Sequence, residues 1–497
     1  MLNYKLILKI IGALLFIEAL LMSVALVMSF LMIDGTYDDS DVPGFLITIA
    51  FTFMVGLIMR YYGQPESEVM NRRDAYLLVT VIWIVFSFFG SLPFLMSGLM
   101  REGGFTDAFF ETMSGFTTTG STVIDNIEKF PSGLKLWRSM TQWIGGLGIA
   151  FFTIAILPSL VRGGGVRVFS AEATGPIKTK MHPKLATNAK MIISVYLFLT
   201  VACAVAFWVE GMHPFDAANY AMTVTATGGF SPHNDSTIYY NSVLIDYTCV
   251  IFMFLSGTNF TMLYLAAVRR QAKNLFKDTE FHFYLSMVVM ATVIVTLCIM
   301  ISGPQYGLFD GFRNALFQVV SFVTTTGMFN DSIHDWPRFT WLVLFLLMFI
   351  GACAGSTSGG LKSVRAVMLV KVVRNELKRM LHPKAVFPLR VNGINADASQ
   401  QVTLLGFFVA YVMLCMVTYT ILMIFDNDWI DTVDAISIAI SSASNVGPAL
   451  GVHVDNMMSW AELSVPSKWC CAFLMLMGRL EVFTVLVLFT PAFWKNE

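Results

Sequence analysis

Long apolar runs separated by short polar segments set the layout of this chain. Leu6 to Met32 and Phe45 to Tyr62 are each long enough to cross a bilayer. From Tyr76–Phe94 onward the pattern becomes a unit: a spanning run, a short apolar stretch, a Thr/Gly-rich turn, and a second spanning run. The first short stretch, Phe105–Phe116, cannot cross at roughly 1.5 Å per residue, so it reads as a half-helix that enters the membrane and turns back. Leu136–Leu160 closes that unit. The second unit uses Met191–Val209, Phe215–Thr223 and Val243–Val268; the third Phe281–Ile301, Leu308–Val323 and a run from Phe339; the fourth Val402–Phe425, Ile430–Ser442 and Trp469–Phe489. The predicted architecture is an all-α integral membrane protein: a two-helix segment over 1–65, then repeats over 70–165, 185–275, 279–382 and 399–494. Ten spanning helices and four half-helices are expected, arranged pseudo-fourfold around one pore.

The turn after each half-helix carries one motif. Its copies are Thr117-Thr118-Thr119-Gly120, Thr225-Ala226-Thr227-Gly228, Thr324-Thr325-Thr326-Gly327 and the divergent Ser444-Asn445-Val446-Gly447. Their glycines recur at intervals of about one hundred residues, the mark of an internal repeat. Each half-helix opens near an aspartate: Asp107, Asp216, Asp310, and Asp431 or Asp434.

Composition narrows the class. Of 497 residues, 56% are hydrophobic and 13% charged, which excludes a string of soluble domains. A net charge of −1 says nothing about nucleic acid, and no basic block long enough for binding it appears. The seven cysteines lie almost wholly in apolar runs without paired ligand spacing and read as small buried hydrophobes. The first apolar run has no small-residue cleavage site after it and is expected to remain as a helix. Most of the 32 Lys and Arg fall in Arg162 to Lys190, Arg269 to Lys277, Lys362 to Arg390 and near the termini. The half-helix side is poor in them, so the positive-inside rule predicts cytoplasmic termini and four half-helix mouths facing out.

Irregular backbone at membrane depth survives only where it is buried in protein or lines a cavity. Four such turns from four related units predict a shared axial cavity. Thr favours extended backbone, and Gly permits dihedrals that turn a carbonyl toward the axis. A ring of carbonyls replaces the hydration shell of an alkali cation without a fixed charge to trap it. The C-terminal ends of the half-helices add about half a negative charge each. Their aspartates are expected to stabilise the N-terminal ends and to make an acidic outer mouth. One Thr-rich turn alone is only a packing feature; four in register carry the inference.

Two further features lie below the turns. The run from Phe339 meets Gly351-Ala352-Cys353-Ala354-Gly355-Ser356-Thr357-Ser358-Gly359-Gly360, which predicts a helix break inside the membrane, with close helix packing through small residues as the alternative. Arg479 lies inside Trp469–Phe489, where a cation must face the bundle interior, a water-filled cavity or a salt-bridge partner on another helix. Glu481, two residues on, is poorly placed to pair with it. None of the seven histidines is mid-span, so Gly355-Ser356-Thr357-Ser358 has no base to activate a serine, and an enzyme is not expected. Glu18, Asp125 and Glu128 read as structural or solvated, and Gly163-Gly164-Gly165 between Arg162 and Arg167 as a flexible cytoplasmic turn. No G-x-G-x-x-G follows a strand, so any nucleotide control must come from a partner.

In its two leading helices, four repeats, Thr/Gly turns, 351–360 stretch and Arg479, the chain resembles the Trk/Ktr/HKT superfamily of potassium transporters. It resembles most the membrane subunits of bacterial Trk systems, and the likeness covers nearly its whole length. The resemblance implies a potassium filter made by backbone carbonyls of the four motif copies, with Gly120, Gly228, Gly327 and Gly447 as its glycines. A serine at the first of these accompanies sodium permeation in some plant relatives, so four glycines imply potassium selectivity. It also implies an intramembrane gating loop at Gly351, Gly355, Ser356, Thr357, Ser358, Gly359 and Gly360, with Arg479 lying across the pore. Potassium is then the substrate, and no cofactor is implied. Uptake across the bacterial inner membrane is implied, by a homodimer with a pore in each protomer. Control would come from a cytoplasmic Trk-A-type nucleotide-binding regulatory subunit docked on the basic loops. The alternative is a potassium symporter coupled to protons or sodium, for which Glu18 and Glu481 are the only acids well inside spans.

Overall fold

Exposure along the chain is inverted relative to a water-soluble protein. Phe198, Val209, Ile301 and Phe309 are exposed, whereas Thr117, Thr119, Thr225 and Thr326 are fully buried. A bilayer makes that distribution the stable one, because lipid solvates apolar side chains and every polar backbone group must be satisfied inside the protein. The structure is a computed structural model and describes residues 2–30, 41–67, 69–100, 104–148, 185–302, 306–392, 394–454 and 459–495.

Two leading helices, α1 (Tyr4–Phe30) and α2 (Val42–Tyr62), pack against each other at Gly12 and Gly56, where an added Cβ on Gly12 would lie 2.7 Å from the Gly56 carbonyl. Repeat 1 follows with α3 (Arg72–Met96), half-helix α4 (Gly104–Phe116) and α5 (Ser132–Leu147). Repeat 2 has α6 (Leu185–Val209), half-helix α7 (Pro214–Ala226), α8 (Val243–Ser256) and α9 (Phe260–Ala267). Repeat 3 has α10 (Thr279–Ser302), half-helix α11 (Leu308–Val323), α12 (Arg338–Ile350) and, past the Gly/Ser stretch, α13 (Ser363–Leu381). A two-stranded antiparallel hairpin, β1 (Leu389–Val391) and β2 (Ile394–Ala396), leads to repeat 4. That repeat comprises α14 (Ala398–Phe425), half-helix α15 (Thr432–Ser444), α16 (Val465–Leu480) and α17 (Val482–Leu486).

Among the described residues six helices are long and apolar enough to span unaided, against the ten spans expected. The difference lies in the second helix of each repeat, which in every case ends or bends short of a full span among the described residues. α5 stops before Gly148 at φ 75°, and α12 stops before Gly351 at φ 73°. α8 and α9 meet at 105°, and α16 and the helical stretch after it meet at 113° around Glu481 at φ 62°. The sequence predicts this break only in repeat 3 and continuous spans through Leu136–Leu160, Val243–Val268 and Trp469–Phe489. In repeat 2 the break is capped by Asn259, whose side chain accepts from the N–H groups of Thr261 and Met262. That cap is hard to see inside an apolar run. Residues 149–160, the acidic loop over 34–40, and Arg162, Gly163-Gly164-Gly165 and Arg167 lie outside the described residues.

Candidate functional site

The four half-helices end in one backbone conformation. The first residue with left-handed backbone is Thr118 at φ 54°, Thr227 at 52°, Thr325 at 57° and Asn445 at 55°. Two residues later a glycine again has positive φ: Gly120 at 88°, Gly229 at 80°, Gly327 at 75° and Gly447 at 105°. The residue between them keeps negative φ in every copy. Left-handed backbone costs an L-residue ~1–2 kcal/mol, and a β-branched residue seldom adopts it. Three threonines hold it because the chain must turn out of a helix whose last carbonyls are being capped. The N–H groups of Thr119, Gly228, Thr326 and Val446 reach back to the carbonyls of Ser114, Thr223, Ser321 and Ser441 at 2.8, 2.9, 2.9 and 3.0 Å. Alternating right- and left-handed residues turn successive N–H groups to one side and successive carbonyls to the other. Here the half-helix side takes the N–H groups. The carbonyls of Thr117, Thr118, Thr119, Thr324, Thr325, Thr326, Asn445 and Val446 accept no hydrogen bond among the described residues.

The four turns then close into a ring. An added Cβ on Gly120 would lie 2.0 Å from the Gly228 carbonyl oxygen, and one on Gly229 2.0 Å from that of Thr326. On Gly327 it would lie 2.1 Å from the Val446 oxygen, and on Gly447 2.6 Å from the Thr119 oxygen. Each quarter's glycine leans on the carbonyl of the next, and the fourth returns to the first. This geometry corrects the register of the second copy. The equivalent segment is Ala226-Thr227-Gly228-Gly229, so Gly229 and not Gly228 takes the ring position, and Thr225 belongs to the last turn of α7. α7 runs to Ala226, and of two adjacent glycines only the second meets a neighbouring carbonyl.

Side chains brace the ring unequally. Thr117 and Thr119 share a hydroxyl contact of 2.8 Å, and Thr324 and Thr326 one of 2.7 Å. The divergent fourth copy places Asn445, a residue tolerant of left-handed backbone, where three copies have Thr. Its amide donates to the Thr119 hydroxyl and the Met475 carbonyl, both at 2.9 Å. Gln142 of α5 donates to the Gly228 carbonyl at 2.6 Å and accepts from the Phe230 N–H at 3.0 Å.

Beneath the ring, residues 351–360 form a non-helical loop that touches several repeats. The Thr357 hydroxyl donates to the Thr225 and Ser256 carbonyls at 3.2 Å each. The Gly359 N–H donates to the Thr325 hydroxyl at 2.7 Å, and a Cβ there would lie 2.0 Å from the Ser444 carbonyl. Glu280 of α10 ties the loop to the start of α13, accepting from the Ala354 N–H at 2.6 Å and the Val364 N–H at 3.1 Å. The Lys362 ammonium donates to the Ser358 carbonyl, and Asn259 donates to the Ala354 carbonyl at 2.7 Å. Arg479 crosses from repeat 4. Its guanidinium donates to the Thr357 carbonyl at 2.7 Å and to the Gly145 and Gly146 carbonyls at 2.6 and 3.1 Å. Glu481 pairs with Arg365 of α13 at 2.5 Å. Lys362 and Arg365 are buried, so they belong to the loop's own packing and not to an exposed basic face.

The outer ends of the half-helices differ from one another. Asp431 caps α15, accepting from the N–H groups of Val433 and Asp434, while Asp434 accepts from the Asp431 N–H. Asp107 is buried against the Lys468 ammonium at 2.7 Å, and Asp216 accepts from Tyr240 and lies 3.1 Å from the His233 ring. Asp310 is exposed and lies 3.5 Å from the Arg313 guanidinium. The acidic mouth expected from sequence is therefore tempered by Lys468 at Asp107 and Arg313 at Asp310, with the His233 and His453 rings beside Asp216 and Asp434. Gln142, Asn259, Glu280 and Lys362 carry no motif, and their roles come from contacts between distant repeats. Glu18, by contrast, is fully buried in α1, and neither carboxyl oxygen has a hydrogen-bond partner among the described residues.

The TrkH family model, described as a cation transport protein, matches residues 42–496. The Trk system potassium uptake protein TrkH of Salmonella typhimurium is 37% identical over 461 residues, covering 93% of this chain and 94% of that one. TrkH of Vibrio parahaemolyticus is 36% identical over 497 residues, covering 99% of this chain and 100% of its own. The crystal structure of the potassium transporter TrkH from Vibrio parahaemolyticus superposes with a TM-score of 0.87 at 34% identity, covering 99% of this chain and 100% of that one. Family model, relatives and fold agree over nearly the whole length, so the chain belongs to the TrkH family of cation transport proteins.

Proposed function

We propose that this chain takes up potassium across the bacterial inner membrane through a filter lined by main-chain carbonyls of its four turns. The observation that carries the reading is the repeated alternation of φ in four segments whose glycines and carbonyls interlock in a closed ring. Carbonyl oxygens that accept no hydrogen bond among the described residues, on turns that carry no charged side chain, suit an alkali cation that must shed its water and still leave. The relatives named above are potassium uptake proteins, which supports potassium as the ion.

In this reading the 351–360 loop and Arg479 close the pathway below the filter. A guanidinium there opposes a cation directly, and its hydrogen bonds tie the loop to repeat 1. The basic inter-repeat segments mark the cytoplasmic side, with both termini there. Arg374, Lys378 and Arg379 are exposed on α13 beside exposed Val370, Val373 and Leu377. That mixed face is where a cytoplasmic nucleotide-binding regulator of the Trk-A type would dock, on a homodimer with one pore per protomer. A second reading, coupling of potassium to protons, is favoured by one observation, the buried Glu18 carboxyl that has no hydrogen-bond partner among the described residues.

Purified protein in liposomes tests the proposal. Rubidium uptake should exceed sodium uptake, should persist without a proton gradient, and should fall in ring-glycine variants. Uptake that requires an imposed proton gradient and is lost in Glu18→Gln would favour the second reading.

A further inference from the structure

The break in α16 is made by the wrong residue. In repeats 1 and 4, Gly145 and Gly478 press on equivalent half-helix carbonyls, with an added Cβ 1.8 Å from Phe116 O and 2.2 Å from Ala443 O respectively. Three residues later each helix breaks, at Gly148 with φ 75° and ψ 131° and at Glu481 with φ 62° and ψ 130°. Repeat 3 breaks at Gly351 with φ 73° and ψ 177°. This region of backbone is essentially glycine's, so a glutamate held in it is strained. Such strain persists only where surrounding contacts over-determine it.

Those contacts point to one helix. Arg365 Nη2 lies 2.5 Å from Glu481 Oε2, Arg365 Nη1 donates to the Leu361 carbonyl at 3.3 Å, and its guanidinium covers the Phe407 ring at 4.1 Å. Arg365 is itself buried and sits in the first turn of α13, directly after the loop. Glu481 is two residues from Arg479. One ion pair thus links the start of the helix that runs out to the exposed basic face with the backbone break that aims Arg479.

We propose that Glu481 and Arg365 are positioning residues for Arg479: their ion pair latches the strained break, and withdrawal of α13 releases both the break and the barrier. The proposal rests on the gate reading given above. It assigns the mechanical input to α13, so that a pull on the cytoplasmic end of that helix reaches the guanidinium through the pair.

Regulator-free rubidium leak into liposomes tests it, using the full chain and Arg365→Gln, Glu481→Gln, the double variant, the charge swap Arg365→Glu with Glu481→Arg, and Arg479→Ala. Each single variant should raise the leak roughly fivefold or more, and the double no further, as for one coupling unit. The charge swap should return the leak toward wild type, and rubidium-over-sodium preference should stay unchanged throughout. A purely structural role would lower the melting temperature or membrane insertion of the single variants without a selective rise in leak. If Glu481→Gln does not insert, Glu481→Gly suits the backbone and should leak as well. A leak in Arg479→Ala with none in the latch variants, or a leak that the swap does not reduce, overturns the latch and leaves the gate standing. No leak in Arg479→Ala removes the gate and the latch together.

Discussion

In the ring, the same two positions carry positive φ in all four repeats, and each glycine meets the next repeat's carbonyl. One helical turn or so deeper, the same four repeats have diverged. Repeat 1 offers glycines, repeat 2 an asparagine cap, repeat 3 the 351–360 loop, and repeat 4 an arginine beside a strained glutamate. An ion bound on an axis gains from equivalent ligands on every side, and a plug needs unlike parts that fit one another. If the ring is the filter and the level below it the gate, as proposed, symmetry marks where an ion is held and its loss marks where passage is switched.

Breaking the ring should have the largest effect. Gly229→Ala must adopt left-handed backbone and displace the Thr326 carbonyl, 2.0 Å from the new methyl. Initial rubidium uptake should fall by at least about tenfold, since the backbone term alone is ~1–2 kcal/mol. Gly228→Ala meets mainly the amide end of Gln142, which can shift, and should lose less. If Gly228→Ala were the more damaging, the register of the second copy would be wrong. Next, Arg479→Ala should raise the closed-state leak about tenfold, because charge-assisted hydrogen bonds contribute ~1.5–3 kcal/mol each. A leak equal to wild type would contradict the barrier role.

Thr325→Val joins the two levels. It keeps the shape of the ring but removes the oxygen that accepts from the Gly359 N–H at 2.7 Å. Leaving that N–H unsatisfied costs about 1–3 kcal/mol, so leak should rise severalfold with ion preference intact; altered preference would show that the levels are not separable. The smallest effect belongs to the outer scaffold. Asp431→Ala removes the cap of α15 and should cost about 1 kcal/mol, read as a small fall in melting temperature with unchanged selectivity.

The fold was largely legible because hydrophobic run length and Thr/Gly turns are local signals. The half-helix Leu308–Val323 was bounded correctly from the sequence, and the other three to within a few residues. What could not be read depends on contacts between repeats. Two adjacent glycines, Gly228 and Gly229, look alike until Thr326 is seen against the second. The break at Glu481 is invisible because a glutamate gives no sign of left-handed backbone, and Arg365 lies more than a hundred residues away in a helix that reads as cytoplasmic. The hairpin over Leu389–Ala396 was missed although Asn392-Gly393 between apolar residues signals one.

The central claim is that main-chain oxygens of four turns hold the ion on one axis. Rubidium-soaked crystals measured at the rubidium edge test it most directly. The account predicts anomalous density on the axis, encircled by the carbonyls of Thr119, Gly228, Thr326 and Val446 and lost in Gly229→Ala. Rubidium bound only at side-chain carboxylates, with none inside the ring, would contradict it.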